Sequence, residues 1–135
     1  MTATELIRTE SDNSLSFGNH LLTEKSKADG FEYGGDVYKV KTFDQITKLE
    51  RNGMFVYESG PGTSVTHFVE EEQGVRFLVE GAEDAQLTLG LCDDTEYDVR
   101  VNGEDAGRMR TNLGGKLSVS VELAGFGKVK VEITK

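Results

Sequence analysis

The fold is decided by one stretch of the sequence, Tyr97-Asp98-Val99-Arg100-Val101-Asn102-Gly103-Glu104-Asp105-Ala106-Gly107. In its first half, Tyr97, Val99 and Val101 alternate with charged residues, which is the period of a half-buried β-strand. Asn102-Gly103 is a dipeptide typical of a tight hairpin turn. The stretch therefore predicts two antiparallel strands joined by a turn.

The register of this hairpin depends on the length of its loop. A two-residue turn at Asn102-Gly103 pairs Val101 with Glu104, whereas a loop with an odd number of residues moves every later side chain to the other face. The odd-length loop gives one apolar and two oppositely charged cross-strand pairs, which are Tyr97 with Met109, Asp98 with Arg108 and Glu96 with Arg110. We therefore predict an odd-length loop with a bulge, in which Val101 does not face Glu104.

The same alternation recurs throughout residues 64–135. Apolar residues occupy every second position in four further runs, which are Val75–Val79, Leu87–Leu91, Leu117–Leu123 and Val129–Ile133. A short strand at Val65–Val69 and a return strand near Gly107–Thr111 bring the predicted number to seven. Short strands separated by turn residues at this spacing are typical of a sandwich of the immunoglobulin or fibronectin kind.

Residues 1–63 predict a small layer of β-hairpins in front of the sandwich. Glu5–Arg8 and Ser14–Gly18 flank a polar turn, with Leu15 and Phe17 on one face. Residues 31–33 and 36–41 flank Gly34-Gly35, with Tyr38 and Val40 on one face and Lys39 and Lys41 on the other, while residues 24–30 are predicted to be a loop. The clearest break is Ser59–Thr63, which contains the one proline. It divides the chain into an N-terminal hairpin region, 1–63, and a sandwich domain, 64–135.

Residues 42–58 fit two structures. Thr42–Gln45 resembles a capping box and is followed by apolar residues at helical spacing, with Asn52-Gly53 as the stop. Alternatively, residues 46–51 and 54–58 pair as strands about the Asn-Gly turn. In that hairpin the facing pairs are Leu49 with Val56, Lys48 with Tyr57 and Thr47 with Glu58. We favour the hairpin because its partner strand is adjacent in the sequence.

Composition restricts the partners and the location of the protein. The 135 residues carry a formal net charge of −9, which argues against nucleic acid and anionic membrane surfaces as partners. The N-terminal residues lack a signal-peptide pattern, and no apolar run has membrane-spanning length. Cys92 is the single cysteine and cannot form an internal disulfide, so we expect a cytoplasmic protein.

Few residues suggest chemistry. His20 and His67, the only histidines, are expected in surface or turn positions, since neither has a further ligand at metal-binding spacing. Cys92 is expected to be a small buried hydrophobe. Residues 93–96 (Asp-Asp-Thr-Glu) are predicted to be a solvated turn rather than a calcium loop, and residues 114–116 (Gly-Gly-Lys) a turn rather than a phosphate loop. We predict no catalytic residue, no cofactor and no metal site.

Aromatic residues are concentrated in the first half of the chain, at Phe31, Tyr33, Tyr38, Phe43, Phe55 and Tyr57. They either cover the core or leave an exposed patch, which would be a surface for a ligand or for self-association. Short β-rich segments of this kind pair readily across subunits. We therefore expect a homo-oligomer formed through the N-terminal region.

Several phrases spread over nearly the whole chain resemble a group of small bacterial proteins that are often labelled endosialidase. They are Ile7–Glu10, Ser14–Asn19, Thr47–Gly53, Pro61–Thr63 and Thr111–Ser118. The resemblance implies a carbohydrate-related protein, but none of these phrases is a catalytic motif. Ser11–Ser14 lacks the glycine and the aromatic residue of the Asp box found in endosialidase propellers, so no catalytic residue is carried over.

Taken together, the residues predict a non-catalytic β-sandwich protein that acts through binding or assembly. The alternative is a carbohydrate-related protein, either a glycan-binding module or a sialidase-like enzyme. A third hypothesis is an acidic module that binds a divalent ion.

Overall fold

The computed structural model describes residues 6–135, which form thirteen β-strands and no helix. In chain order the strands are β1 (Ile7–Thr9), β2 (Leu15–Phe17), β3 (Ser26–Tyr33), β4 (Asp36–Thr42), β5 (Thr47–Arg51), β6 (Met54–Gly60), β7 (Ser64–Glu71), β8 (Gly74–Glu80), β9 (Ala85–Gly90), β10 (Glu96–Val101), β11 (Glu104–Arg110), β12 (Lys116–Val121) and β13 (Val129–Thr134). Within this range, no segment has the length and apolar character of a membrane-crossing helix.

The strands form two antiparallel sheets packed as a sandwich. The seven-stranded sheet has the order β1-β2-β7-β8-β13-β10-β11, and the six-stranded sheet has the order β12-β9-β6-β5-β4-β3. The predicted all-β sandwich is thus confirmed, and residues 64–135 contain the seven predicted strands, β7 to β13.

Strands from both sides of the boundary predicted after residue 63 take part in both sheets. β2 pairs with β7 in the larger sheet, and β6 pairs with β9 in the smaller one. One core cluster contains side chains from both parts, among them Phe17, Tyr57, Phe77 and Leu89. The break at Ser59–Thr63 therefore does not correspond to a gap in the core, because the N-terminal hairpins extend the sandwich.

The centre of the core is a group of four aromatic rings. Phe17, Phe68 and Phe77 come from the larger sheet, and the Tyr57 ring packs edge-on against Phe17 and Phe77 with centroid distances of 5.2 and 5.8 Å. Of the aromatic residues singled out in the sequence, Tyr38 and Tyr57 are buried, whereas the other four are half-buried. Edge-to-face contacts of this kind stabilise the interface between the two sheets.

The β10–β11 hairpin contains both the predicted register and an unpredicted turn. The pairs Glu96 with Arg110, Tyr97 with Met109 and Asp98 with Arg108 are as predicted. The loop, however, has two residues, and Val101 does face Glu104, so the prediction of an odd-length loop is wrong. A bulge between the pairs Val99–Gly107 and Arg100–Asp105 accommodates the extra residue, Ala106, which restores the register of the outer half.

Residues 47–60 form the β5–β6 hairpin rather than a helix, in agreement with the favoured alternative. Its register was predicted incorrectly, since a bulge after Leu49 shifts the outer pairs. The observed pairs are Thr47 with Ser59, Lys48 with Glu58 and Leu49 with Tyr57. The predicted loop at residues 24–30 is also wrong, because β3 begins at Ser26 and pairs with β4 around a bulge that contains Gly30.

The other N-terminal predictions agree with the structure. β1 pairs with β2, and Leu15 and Phe17 are both in the core; Glu5 lies outside the described residues. Tyr38 and Val40 are buried, while Lys39 and Lys41 are half-buried on the other face of β4.

A buried network of hydroxyl groups joins β4, β5, β6 and the segment after Pro61. The Thr63 hydroxyl lies 2.7 Å from that of Tyr57 and 2.8 Å from that of Ser59. The Thr47 hydroxyl donates to the Thr63 carbonyl oxygen (2.7 Å) and lies 2.8 Å from the hydroxyl of Thr42. These polar groups are buried at little cost because each has a partner. Ser59–Thr63 is thus a fixed part of the core.

Candidate functional site

A large cleft lies between the two sheets, at the end where the β1–β2, β3–β4 and β5–β6 turns meet. Its volume is about 570 Å³, which falls in the range of ligand pockets. The wall includes Asp12, Ser14, Tyr33, Tyr38, Arg51, Phe68, Glu70 and Arg76. We call this space the tyrosine cleft.

Tyr33 and Tyr38 form the aromatic wall of the tyrosine cleft. They lie on paired strands, and their rings pack edge-on with a centroid distance of 5.7 Å. The Tyr33 hydroxyl donates to the Asn13 carbonyl oxygen (2.6 Å), which connects β3 to the β1–β2 turn. Burial raises the pKa of both phenols above the ordinary value of 10.0.

An ion pair spans the tyrosine cleft from sheet to sheet. Arg51, at the end of β5, donates from Nη1 to Oε1 of Glu70 on β7 over 2.5 Å. Burial acts to lower the pKa of the Arg51 guanidinium, but the neighbouring Tyr38 hydroxyl and the Glu70 carboxylate outweigh it and raise that pKa. Arg76 pairs with Glu71 nearby. The cleft therefore offers aromatic surface together with paired charges of both signs.

Asp12, Ser14 and His67 meet at the rim of the tyrosine cleft. The Ser14 hydroxyl donates to Oδ1 of Asp12 (2.5 Å), and the Ser14 N–H donates to the same oxygen (3.0 Å). His67 Nδ1 lies 3.2 Å from Asp12 Oδ2 and 3.2 Å from Ser14 Oγ. The hydrogen bonds from Ser14, and then the interaction with His67, lower the pKa of Asp12.

These residue types are those of a serine hydrolase, but their geometry differs from that of a catalytic triad. A triad uses one ring nitrogen of the histidine for the serine and the other for the aspartate. Here a single nitrogen, Nδ1 of His67, faces both partners. The Ser14 proton is held by the carboxylate, and Ser14 is only 2% exposed. The three residues therefore fasten the β1–β2 turn to β7.

The backbone conformation of His67 explains why its imidazole reaches Asp12 and Ser14. His67 has a φ of 54° and lies in a bulge of β7 between the paired residues Thr66 and Val69. The bulge turns the imidazole towards the β1–β2 turn, and the His67 N–H donates to Ser16 Oγ (3.3 Å). Period-two alternation in the sequence gives no sign of this bulge, which is why the contact was missed.

The remaining residues singled out in the sequence lie apart from one another. His20 is half-buried and contacts the Ser64 hydroxyl through its N–H (3.1 Å) and its Nδ1 (2.7 Å). Cys92 is exposed, so the prediction of a buried hydrophobe is wrong. The reason is that β9 ends at Gly90, and Cys92 belongs to the following turn rather than to the sheet.

The acidic segment at residues 93–96 and the glycine-rich segment at residues 114–116 lie at turns, but their last residues, Glu96 and Lys116, already belong to β10 and β12. Asp94 has a φ of 47°, and its carboxylate accepts a hydrogen bond from Arg110 Nε (2.8 Å), which lowers its pKa. Gly115 has a φ of 78° and its carbonyl oxygen accepts from Leu91 N–H (2.7 Å). Across residues 6–135, no group of three or more His, Cys, Asp or Glu side chains is arranged to hold a metal ion.

Comparison of the chain with family models, with curated proteins and with solved structures finds no match. Function is therefore inferred from the geometry of the tyrosine cleft and of the sheet edges.

Proposed function

We propose that the protein is a non-catalytic binding module whose ligand site is the tyrosine cleft. The observation that carries the proposal is the composition of its wall, where Tyr33 and Tyr38 stand beside the Arg51–Glu70 pair in a space of about 570 Å³. Pockets that bind small molecules combine apolar or aromatic surface with a few fixed polar groups. A small polar molecule with one apolar face fits this combination.

The arrangement of Asp12, Ser14 and His67 supports the non-catalytic part of the proposal. The Ser14 hydroxyl is 2% exposed and donates to Asp12, and Nδ1 of His67 faces the same carboxylate, so the hydroxyl oxygen is not presented to a substrate. A sialidase-like reaction with a tyrosine nucleophile needs an accessible phenol that ionises readily. Tyr38 is 4% exposed and burial raises its pKa, which favours binding over hydrolysis.

A glycan is the second candidate ligand. Sugar rings present a C–H face, which packs on aromatic rings, and hydroxyl groups, which pair with carboxylates and guanidinium groups. Tyr33 offers a half-buried ring, and Asp12, Arg51 and Glu70 offer such groups on the same cleft. This hypothesis shares its site with the first and differs in the class of ligand.

The test is a thermal-shift and ligand-detected NMR screen of the intact protein with monosaccharides, oligosialic acid, amino acids and nucleotides. A ligand at 100 times its Kd stabilises by about 2.7 kcal/mol, which raises the melting temperature by several degrees. We expect Tyr33→Ala to abolish the response and Phe126→Ala, a change at an exposed aromatic outside the cleft, to retain it.

Three outcomes decide between the hypotheses. A response restricted to sugars favours the glycan hypothesis, whereas release of free sialic acid from polysialic acid would overturn the non-catalytic proposal. An equal response of wild type and Tyr33→Ala would remove the tyrosine cleft as the site.

A further inference from the structure

One edge of the six-stranded sheet is formed by β12, a regular strand with no neighbour on its outer side in the described part of the chain. β12 pairs with β9 through six consecutive residue pairs, Lys116–Gly90 to Val121–Ala85, without a bulge. Such an edge exposes unpaired backbone N–H and C=O groups, which are a template for another strand.

The hydrogen bonds at the start of β12 show which residues direct their backbone groups outward. Lys116 N–H donates to Asn112 Oδ1 (3.0 Å), and the Lys116 carbonyl oxygen accepts from Asn112 N–H (3.1 Å), on the side away from β9. The preceding carbonyl, that of Gly115, accepts from Leu91 on the β9 side. Successive residues of a strand direct their backbone N–H and C=O groups to opposite sides in turn. The backbone groups of Ser118 and Ser120 therefore also point away from β9.

The other three edges carry features that discourage pairing. β1 has three residues, β3 is interrupted by a bulge at Gly30, and β11 has a bulge at Ala106 and four charged residues. Short length, bulges and charge are the devices by which natural sheets protect their edges. β12 has none of them except the charge of Lys116, and a cleft of about 440 Å³ separates it from β11.

We propose that the β12 edge pairs with the β12 edge of a second copy of this chain, in an antiparallel arrangement about a two-fold axis. Asn112 covers the edge beside Lys116, which leaves residues 118–121 of β12 and the following Glu122 free, so the axis passes next to Ser120. Ser118 then pairs with the partner's Glu122, and the two six-stranded sheets become one continuous sheet. An axis at this position keeps the core-facing residues of both strands on the same side.

Side-chain complementarity favours a second copy as the occupant. On the inner side, Val119 faces the partner's Val121, which pairs two β-branched residues. On the outer side, the Lys116 ammonium group lies 4.6 Å from the centroid of the Phe55 ring in its own sheet. In the dimer it turns from this ring to the partner's Glu122, which lies diagonally across at a Cα separation of about 7–8 Å that long side chains can span. The two-fold axis generates this opposite-charge pair twice.

This inference is independent of the tyrosine cleft, since β12 and β3 are at opposite edges of the six-stranded sheet. It also differs from the homo-oligomer predicted through the N-terminal region, where β1 and β3 supply the edges. The features that protect β1 and β3 make β12 the better edge for self-association.

The direct test compares Ser120→Pro with Ser120→Ala by light scattering over about a hundredfold range of protein concentration. Proline removes an N–H that points away from β9, so the fold keeps its ladder while the edge loses a donor. We expect the mass of wild type and Ser120→Ala to rise from 14.8 kDa towards twice that value, and Ser120→Pro to stay at the monomer mass. A wild type that is monomeric throughout, or a Ser120→Pro variant that dimerises equally well, would overturn the proposal.

If the proline variant does not fold, a second test reverses the charges at positions 116 and 122. Lys116→Glu and Glu122→Lys are changes at exposed positions, and each places like charges across the proposed interface. We expect each single variant to weaken dimerisation at least threefold and the double variant to restore it. If the loss of dimer affinity in the double variant equals the two single losses added together, Lys116 and the partner's Glu122 do not interact. The proposed arrangement then fails.

Discussion

The hydroxyl of Tyr57 lies 2.7 Å from the hydroxyl of Thr63, and both residues are fully buried. Tyr57 also packs edge-on against Phe17 and Phe77 across the sandwich. One side chain thus joins the aromatic centre of the core to the hydroxyl network that fixes the segment after Pro61. Burial raises the pKa of Tyr57 far above its ordinary value of 10.0.

We expect Tyr57→Phe to cost about 1 kcal/mol in the free energy of unfolding at pH 7, because Thr63 loses a hydrogen-bond partner but keeps Ser59. Urea denaturation measures this cost. The control is Tyr33→Phe, which removes an exposed hydroxyl and its hydrogen bond to the Asn13 carbonyl oxygen. It is expected to cost less because water can replace that bond. An equal cost for the two variants would show that the buried Tyr57 hydrogen bond contributes no more than an exposed one.

The same residue predicts a loss of stability at alkaline pH. In the unfolded chain Tyr57 ionises above pH 10, whereas in the folded protein burial keeps it neutral. Below pH 10 the residue is protonated in both states, so it does not make the free energy of unfolding depend on pH. Above that pH, this residue alone reduces the free energy of unfolding by up to about 1.4 kcal/mol per pH unit. We expect Tyr57→Phe to have a shallower decline between pH 10 and 11 than wild type in urea titrations.

The Asn102-Gly103 turn gives a prediction that separates backbone strain from hydrogen bonding. Asn102 has a φ of 51°, and its Oδ1 accepts a hydrogen bond from Lys130 N–H on β13 (2.9 Å). We expect Asn102→Gly to cost about 1 kcal/mol for that bond, and Asn102→Ala to cost about 1 kcal/mol more for the left-handed backbone. Thermal and urea unfolding of the two variants give the difference. Equal costs would mean that the turn carries no backbone strain.

Gly60 and Gly62 are close in sequence but differ in the space around them, so they can be compared by the same substitution. A Cβ at Gly62 would lie 1.8 Å from the Phe43 carbonyl oxygen, whereas a Cβ at Gly60 meets nothing within 4 Å. We expect Gly62→Ala to destabilise the protein by more than about 3 kcal/mol, and Gly60→Ala to have an effect within about 0.5 kcal/mol. Circular dichroism melting curves distinguish them, and a Gly62→Ala protein as stable as wild type would contradict the close packing at Phe43.

Asp12 provides a prediction for acidic pH. Hydrogen bonds from Ser14, and then His67, lower its pKa below the ordinary value of 3.8, so its stabilising effect is present above pH 3.8 and is lost as the pH falls through the folded-state pKa. Carbon-detected NMR titration of the carboxyl groups measures the shift. We expect Ser14→Ala to return the Asp12 pKa part of the way to 3.8, since the N–H of residue 14 still donates to the carboxylate, and His67→Ala to move it less. The opposite order would assign the shift to the imidazole.

Local patterns in the sequence were sufficient to predict strands and their buried faces. Alternation identified β8, β10, β12 and β13, and the charge pairs on β10 and β11 identified the facing residues of that hairpin. Bulges were not predictable in this way, because a single extra residue such as Ala106 leaves the pattern on either side intact. The loop length was therefore wrong although the pairs beyond it were right.

The site was less predictable because it is assembled from distant parts of the chain. The tyrosine cleft combines residues between Asp12 and Arg76 from six strands and their turns, and only its tyrosines stood out in the sequence. The buried hydroxyl network was partly visible in the sequence pattern of β4 and β6. Thr42 lies on the buried face of β4 with Tyr38 and Val40, and Ser59 lies on the buried face of β6 with Tyr57. Because every second residue of a strand faces the same side, these inward-facing hydroxyl groups could have been recognised from their positions in the sequence.

The order of strands in the larger sheet has a consequence for the route by which the chain folds. β13 comes last along the sequence, yet it lies in the interior of that sheet, between β8 and β10. During synthesis, β8 and β10 therefore emerge without the strand that joins them, and the β10–β11 hairpin has no sheet to attach to until residues 129–134 follow. Assembly of the larger sheet therefore waits for residues 129–134, and the rate of that step is governed by contacts of long sequence separation.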